Sequence, residues 1–154
     1  MTGNFMNEYI EKLNRESNIT KYNELEEYAT NKIADILSLD NKEIIYTSGA
    51  SESNNQAIKG VCFKYKNRGN HIITTYLEHS SVINTINYLS NNGFEVDFVK
   101  LNSNGLVDLE NLKELIREDT ILVSIASVNS EIGLLQPIEE IANIVNQFLM
   151  LKEF

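Results

Sequence analysis

Four times along this chain, a short run of β-branched and apolar residues gives way to apolar residues at helical spacing. The four runs are Ile44–Thr47, His71–Thr75, Phe94–Val99 and Ile121–Ala126. Each reads as a strand. The first helical stretch, Ser53–Lys66, has Ala57, Ile58, Val61, Cys62 and Tyr65 as its stripe. The second carries Val82, Ile83, Ile86 and Leu89 and stops at Asn92-Gly93. A third is capped by Asp108 and buries Leu109, Leu112, Leu115 and Ile116. A fourth opens at Pro137 and presents Ile138, Ile141, Ala142, Val145, Phe148 and Leu149. Such alternation predicts an α/β three-layer sandwich around a mainly parallel sheet. Phe94–Val99 alternates as a half-exposed strand does, whereas Ile121–Ala126 is a nearly continuous apolar run, as in a strand covered on both faces. Upstream, Tyr22–Leu37 predicts a helix with Leu25, Tyr28, Ala29, Ile33, Ile36 and Leu37 on its buried side. A weaker pattern over residues 4–14 predicts another short helix.

Parallel sheets bind ligands beyond the carboxyl ends of their strands. Three polar loops follow strands directly: Ser48–Ser51, Glu78–Ser81 and Asn129–Gly133. Parallel strands bring all three to one edge, in a crevice lined by Ser51, Glu78, His79, Asn129, Ser130 and Glu131. The first loop has two readings. As an anion cradle, Gly49, Ala50 and Ser51 form a tight turn whose backbone N–H groups and Ser51 hydroxyl meet a phosphate at a helix N-terminus. As a plain strand-to-helix connection, it uses Ser51 or Ser53 only as an N-cap, and Ser53 with Gln56 fits a capping box.

Composition narrows the partners. With 22 acidic against 13 basic residues, the net charge is −9. That argues against nucleic acid and anionic membranes, which both select basic faces. No apolar run reaches membrane-spanning length, and the polar N-terminus has no signal-peptide core, so a cytoplasmic location is expected. Cys62 is the single cysteine, which leaves no internal disulfide and no cysteine-rich metal site.

Four stretches, in this order and spacing, resemble the cysteine desulfurases, a branch of aminotransferase class V within the fold-type I pyridoxal-phosphate (PLP) enzymes. They are Tyr46–Gly60 (YTSGASESNNQAIKG), His71–Ser81 (HIITTYLEHSS), Asn104–Leu109 (NGLVDL) and Thr120–Gly133 (TILVSIASVNSEIG). The resemblance covers about residues 22–145. It implies that residues 1–154 are a single, partial PLP-binding large domain, with the C-terminal half and small domain absent. It also implies that Gly49, Ala50 and Ser51 match the Gly-Ala-Thr loop binding the PLP phosphate, Ser replacing Thr. His79 matches the catalytic histidine whose ring stacks on the pyridine and takes part in proton transfer. Ser130 stands where the family has an Asn that contacts the cofactor and substrate, and its shorter reach alters that contact.

The other departures are absences. Neither histidine, His71 or His79, lies in the family's Ser-x-His-Lys motif, whose lysine carries PLP, or in its His-x-Asp-x-x-Gln strand. The sulfur-accepting cysteine has no counterpart, and Cys62 falls on a buried helical stripe where a thiol is inert. The expectation is therefore a truncated member, inactive alone and without covalently attached PLP. The family reaction takes sulfur from L-cysteine as an enzyme persulfide, leaving alanine, for iron–sulfur clusters or tRNA thiolation. The alternatives are a split-enzyme subunit or non-catalytic interaction fragment, homodimeric or dependent on a partner carrying the lysine, and a stand-alone phosphate or nucleotide binder.

Overall fold

A computed structural model describes residues 19–151; the short helix expected over residues 4–14 lies outside them. The chain divides after Tyr46 into two compact units.

The first unit holds helix α1 (Ile19–Leu37) and a 3₁₀ turn, Asn41–Glu43. Asp40 caps that turn: its carboxylate accepts from the Lys42 N–H, while Glu43 accepts from the Asp40 N–H. The expected buried face of α1 is not buried. Ala34 is its one buried residue among those described, and Ile36 is 81% exposed. A helix beside one 3₁₀ turn has little apolar surface to cover a stripe of six. Ile44–Thr47 is a second correction. The segment runs on from an extended Ile44 but belongs to no sheet. Its β-branched composition favours a strand only where a neighbouring strand completes the ladder.

The second unit is the layered domain. Helix α2 (Ala50–Tyr65) leads to β1 (His71–Thr74), α3 (Ser80–Ser90), β2 (Glu95–Phe98), α4 (Leu109–Leu115), β3 (Thr120–Ser124) and α5 (Ile138–Leu151). Three strands form a parallel sheet in the order β2-β1-β3. Alternate residues of β1 point to opposite faces and separate two cores. Ile72 packs with Ile58, Cys62, Val82, Ile86, Leu89 and Phe94, from α2, α3 and the approach to β2. Ile73 packs with Val99, Val107, Leu112 and Ile141, on the α4 and α5 side. The three-layer α/β architecture is thus present, with three strands where four were expected.

The strand expected to be covered on both faces is not the most buried one. All four residues of β1 are buried, whereas all five of β3 are only half-buried. A continuous apolar run marks helices on both faces but says nothing about lateral neighbours, and β3 is a sheet edge among the described residues. Two contacts fix β1 between its neighbours. The buried His71 ring meets the Thr120 hydroxyl through Nδ1 at 2.8 Å and the Asp97 carboxylate through Nε2 at 3.1 Å. Gly69 lies so close to Asp119 that an added Cβ would sit 2.1 Å from its carbonyl oxygen.

Candidate functional site

Beyond the carboxyl ends of the strands lies a cavity of about 510 Å³, within the range of small-molecule and cofactor sites. It is lined from three loops. Ala50 and Asn54 come from the start of α2, Tyr76 to His79 from the loop after β1, Ser80 from the first position of α3, and Ala126 and Val128 to Glu131 from the loop after β3. Glu78, His79, Asn129, Ser130 and Glu131 therefore share the crevice expected from the loop order. Ser51 does not line it; Ala50 and Asn54 represent the first loop instead.

The helix start explains that difference. Gly49 is the N-cap of α2, so Ala50 and Ser51 already lie in the helix and not in a turn before it. Neither Ser51 nor Ser53 is the N-cap. The Glu52 and Ser53 N–H groups donate to the Gly49 carbonyl at 3.0 and 3.1 Å, and helix geometry gives the Ala50 and Ser51 N–H groups no acceptor within the helix. Ser48 is taken up by Glu52, whose carboxylate accepts its N–H at 2.7 Å and its hydroxyl at 2.6 Å. The hydroxyl bond, then the backbone bond, hold the Glu52 carboxyl below its ordinary pKa. Nothing lies within 4 Å of where a Gly49 Cβ would stand, so there is room beside the helix start.

His79 is the N-cap of α3, and its Nδ1 accepts the Ser81 N–H at 3.1 Å. A histidine in place of the usual Ser, Thr, Asp or Asn gave no capping signal in the sequence. The same Nδ1 lies 2.9 Å from the Ser81 hydroxyl, which accepts from the Asn54 side-chain amide at 2.8 Å.

The loops after β1 and β3 are joined to each other. Glu78 Oε1 accepts from the Thr75 hydroxyl at 3.0 Å and the Ala126 N–H at 2.8 Å. Asn129 donates its amide to the Leu77 carbonyl at 2.9 Å, while its side-chain oxygen accepts the Glu131 and Ile132 N–H groups at 3.0 Å each. That local turn places Ser130 at the bend, beside His79's loop. The structural work of Glu78 and Asn129 was not evident in the sequence, where both were only crevice residues. Tyr76 stacks on Phe98 with ring centroids 4.0 Å apart and forms an aromatic wall.

The lining offers amide donors, a flat imidazole, three hydroxyls and two carboxylates, but neither lysine nor cysteine. Cys62 lies in the core, where burial pushes its thiol to about 11. Among the described residues no cluster of His, Cys, Asp and Glu is suited to hold a metal ion. No helix among them is long and apolar enough to cross a membrane.

Cysteine desulfurase IscS of Buchnera aphidicola subsp. Acyrthosiphon pisum is 48% identical over 124 residues, which is 80% of this chain and 31% of that protein. The Ehrlichia chaffeensis IscS is 50% identical over 79% of this chain and 30% of its own length. The chain thus spans about a third of these relatives. Among solved structures, a NifS-like protein superposes with a TM-score of 0.79 at 42% identity, over 83% of this chain and 35% of that one. SspA, solved in complex with cysteine, gives 0.75 at 40% identity, over 84% and 37%. Residues 4–151 match the aminotransferase class-V model, and the chain belongs to that family.

Proposed function

We propose that these residues form part of the cofactor site of a PLP-dependent cysteine desulfurase, an enzyme that takes sulfur from L-cysteine and leaves alanine. The observation that carries the reading is the convergence of the α2 start, His79 and Ser130 on one cavity. The residues suit such a group: the free N–H groups of Ala50 and Ser51 and the open space at Gly49 fit a phosphate, which helix N-termini favour. The His79 ring offers a flat face and a titratable nitrogen. Ser130 offers a hydroxyl to a ring oxygen or to substrate. When bound, PLP supplies the electron sink. The lysine that would carry it is not in the lining, so it comes from outside these residues, either from further sequence of the same polypeptide or from a second chain.

The test is an absorbance titration of the 154-residue chain with PLP, followed by borohydride reduction and intact-mass analysis. It is run with and without a family segment bearing the lysine, aspartate and cysteine. The expected result is no reducible adduct on this chain alone, and a lysine-bound cofactor on the added segment when both are present. A single reducible adduct on one lysine of this chain would overturn the external origin of the lysine. Stable association of the two segments without PLP binding would overturn the cofactor reading and leave an interaction module.

A further inference from the structure

We propose that Ser81 and Asn54 are positioning residues that hold His79 as its Nε2–H tautomer, so that it meets the cavity as a hydrogen-bond donor. The inference deepens the cofactor-site reading of His79 and rests on that reading only for what the donor faces; the tautomer itself follows from four atoms. A backbone N–H can only donate, so the Ser81 N–H at 3.1 Å requires an unprotonated Nδ1. The Ser81 hydroxyl, 2.9 Å from the same nitrogen, must then donate its hydrogen to it. That leaves the hydroxyl oxygen as an acceptor, and the Asn54 amide fills this role at 2.8 Å. Donation therefore runs one way, from Asn54 to Ser81 to His79. The reverse amide orientation would draw the Ser81 hydrogen away and set two lone pairs against each other.

With Nδ1 satisfied by two donors, the neutral ring carries its proton on Nε2. Taking up a second proton requires Nδ1 to break from Ser81. Neutral His79 therefore polarises or orients a group in the cavity by donation, and a base working at Nε2 is disfavoured.

The test is long-range proton–nitrogen NMR of the full chain labelled with ¹⁵N-histidine, at a pH where the rings are neutral, with no cofactor added. The chain has two histidines, and His71, held by Thr120 and Asp97, is the internal reference for folding. His79 should show an unprotonated Nδ1, shifted as a nitrogen that accepts hydrogen bonds, and a protonated Nε2. Ser81→Ala should move Nδ1 toward its solvent-exposed position and lower the tautomer ratio about two- to tenfold, the bias of one hydrogen bond. Ser81→Thr should restore the wild-type signals. Asn54→Asp, which accepts from the Ser81 hydroxyl and reverses the chain, should raise the Nδ1-protonated population. An Nδ1 of solvent-exposed type in the wild type would overturn the proposal. So would wild-type His79 signals in both Ser81→Ala and Asn54→Asp, with His71 unchanged. Failure of PLP binding would leave these signals untouched and would bear only on the cofactor reading.

Discussion

Replacing Glu78 with alanine should loosen the site by separating two loops that no regular secondary structure joins. Its Oε1 accepts one hydrogen bond from the Thr75 hydroxyl and one from the Ala126 N–H, so a single oxygen braces the loop after β1 and ties it to the loop after β3. Hydrogen bonds to a charged group contribute about 1.5–3 kcal/mol each. Glu78 is half-buried, so the lower value applies to each bond and the pair amounts to about 3 kcal/mol. Glu78→Gln keeps an oxygen in place and should lose only about 1 kcal/mol, the gap between charged and neutral acceptors. With a urea dependence of about 1.5 kcal/mol per molar, Glu78→Ala lowers the unfolding midpoint by about 2 M and Glu78→Gln by under 1 M. Amide hydrogen exchange supplies the local readout: the Ala126 N–H should exchange faster in Glu78→Ala, while core amides of β1 follow global stability. Equal midpoints for the two variants would refute the reasoning, because the oxygen would then matter only as charge. An unchanged Ala126 exchange rate in Glu78→Ala would refute it as well.

Gly69→Ala should be among the most destabilising loop substitutions. The new Cβ meets the Asp119 carbonyl at 2.1 Å, and the same carbonyl accepts the His71 N–H at 3.1 Å where β1 joins β3; thermal unfolding should show a loss of about 2 kcal/mol or more, and a loss under 0.5 kcal/mol would contradict the close approach. Cys62 should resist thiol reagents in the folded chain and react on unfolding, since burial raises its thiol from 9.0 to about 11. The folded state therefore holds the proton more tightly than the unfolded one, and stability should fall as pH rises from about 9 to 11. Cys62→Ala should flatten that decline, and an unchanged slope in this variant would assign the titration to another group.

The order of elements in the layered domain was legible because each helix has a side that must be buried and each strand a short apolar run. Asp108 at the N-cap of α4, the Gly93 stop and Pro137 before α5 all appear where local chemistry put them. What failed was lateral context. Ile44–Thr47 and Ile121–Ala126 are both rich in apolar and β-branched residues, yet one joins no sheet and the other is a half-buried edge. Side-chain pattern reports the layers above and below a strand, whereas its hydrogen-bonding edges are backbone and have no residue signature. The start of α2 failed for a related reason. Ser53 and Gln56 have the spacing of a capping box, but the helix begins at Ala50 and the Ser53 hydroxyl pairs with Thr47 at 2.6 Å.

The crevice shows where such reading stops. That the loops after β1 and β3 meet follows from parallel strands alone, because each leaves a carboxyl end at the same sheet edge; the start of α2 joins them without following a strand of the sheet. How they meet depends on partners far apart in sequence: Glu78 with Ala126, Asn129 with Leu77, and Asn54 with Ser81. None of these pairs has a periodicity or a spacing, so each residue reads in sequence as a polar loop position open to a ligand. In the structure, Glu78 and Asn129 spend side-chain hydrogen bonds on the protein itself, while Ala50, His79 and Ser130 line the same cavity. The division follows from the cost of leaving buried polar backbone unpaired: the loops must satisfy one another before they can present anything else. It also separates the phenotypes expected of mutations here. Changes at Glu78 or Asn129 should act first on stability and loop exchange, whereas Ser130→Ala should leave the unfolding midpoint within about 0.5 kcal/mol of wild type and act only on what the cavity binds.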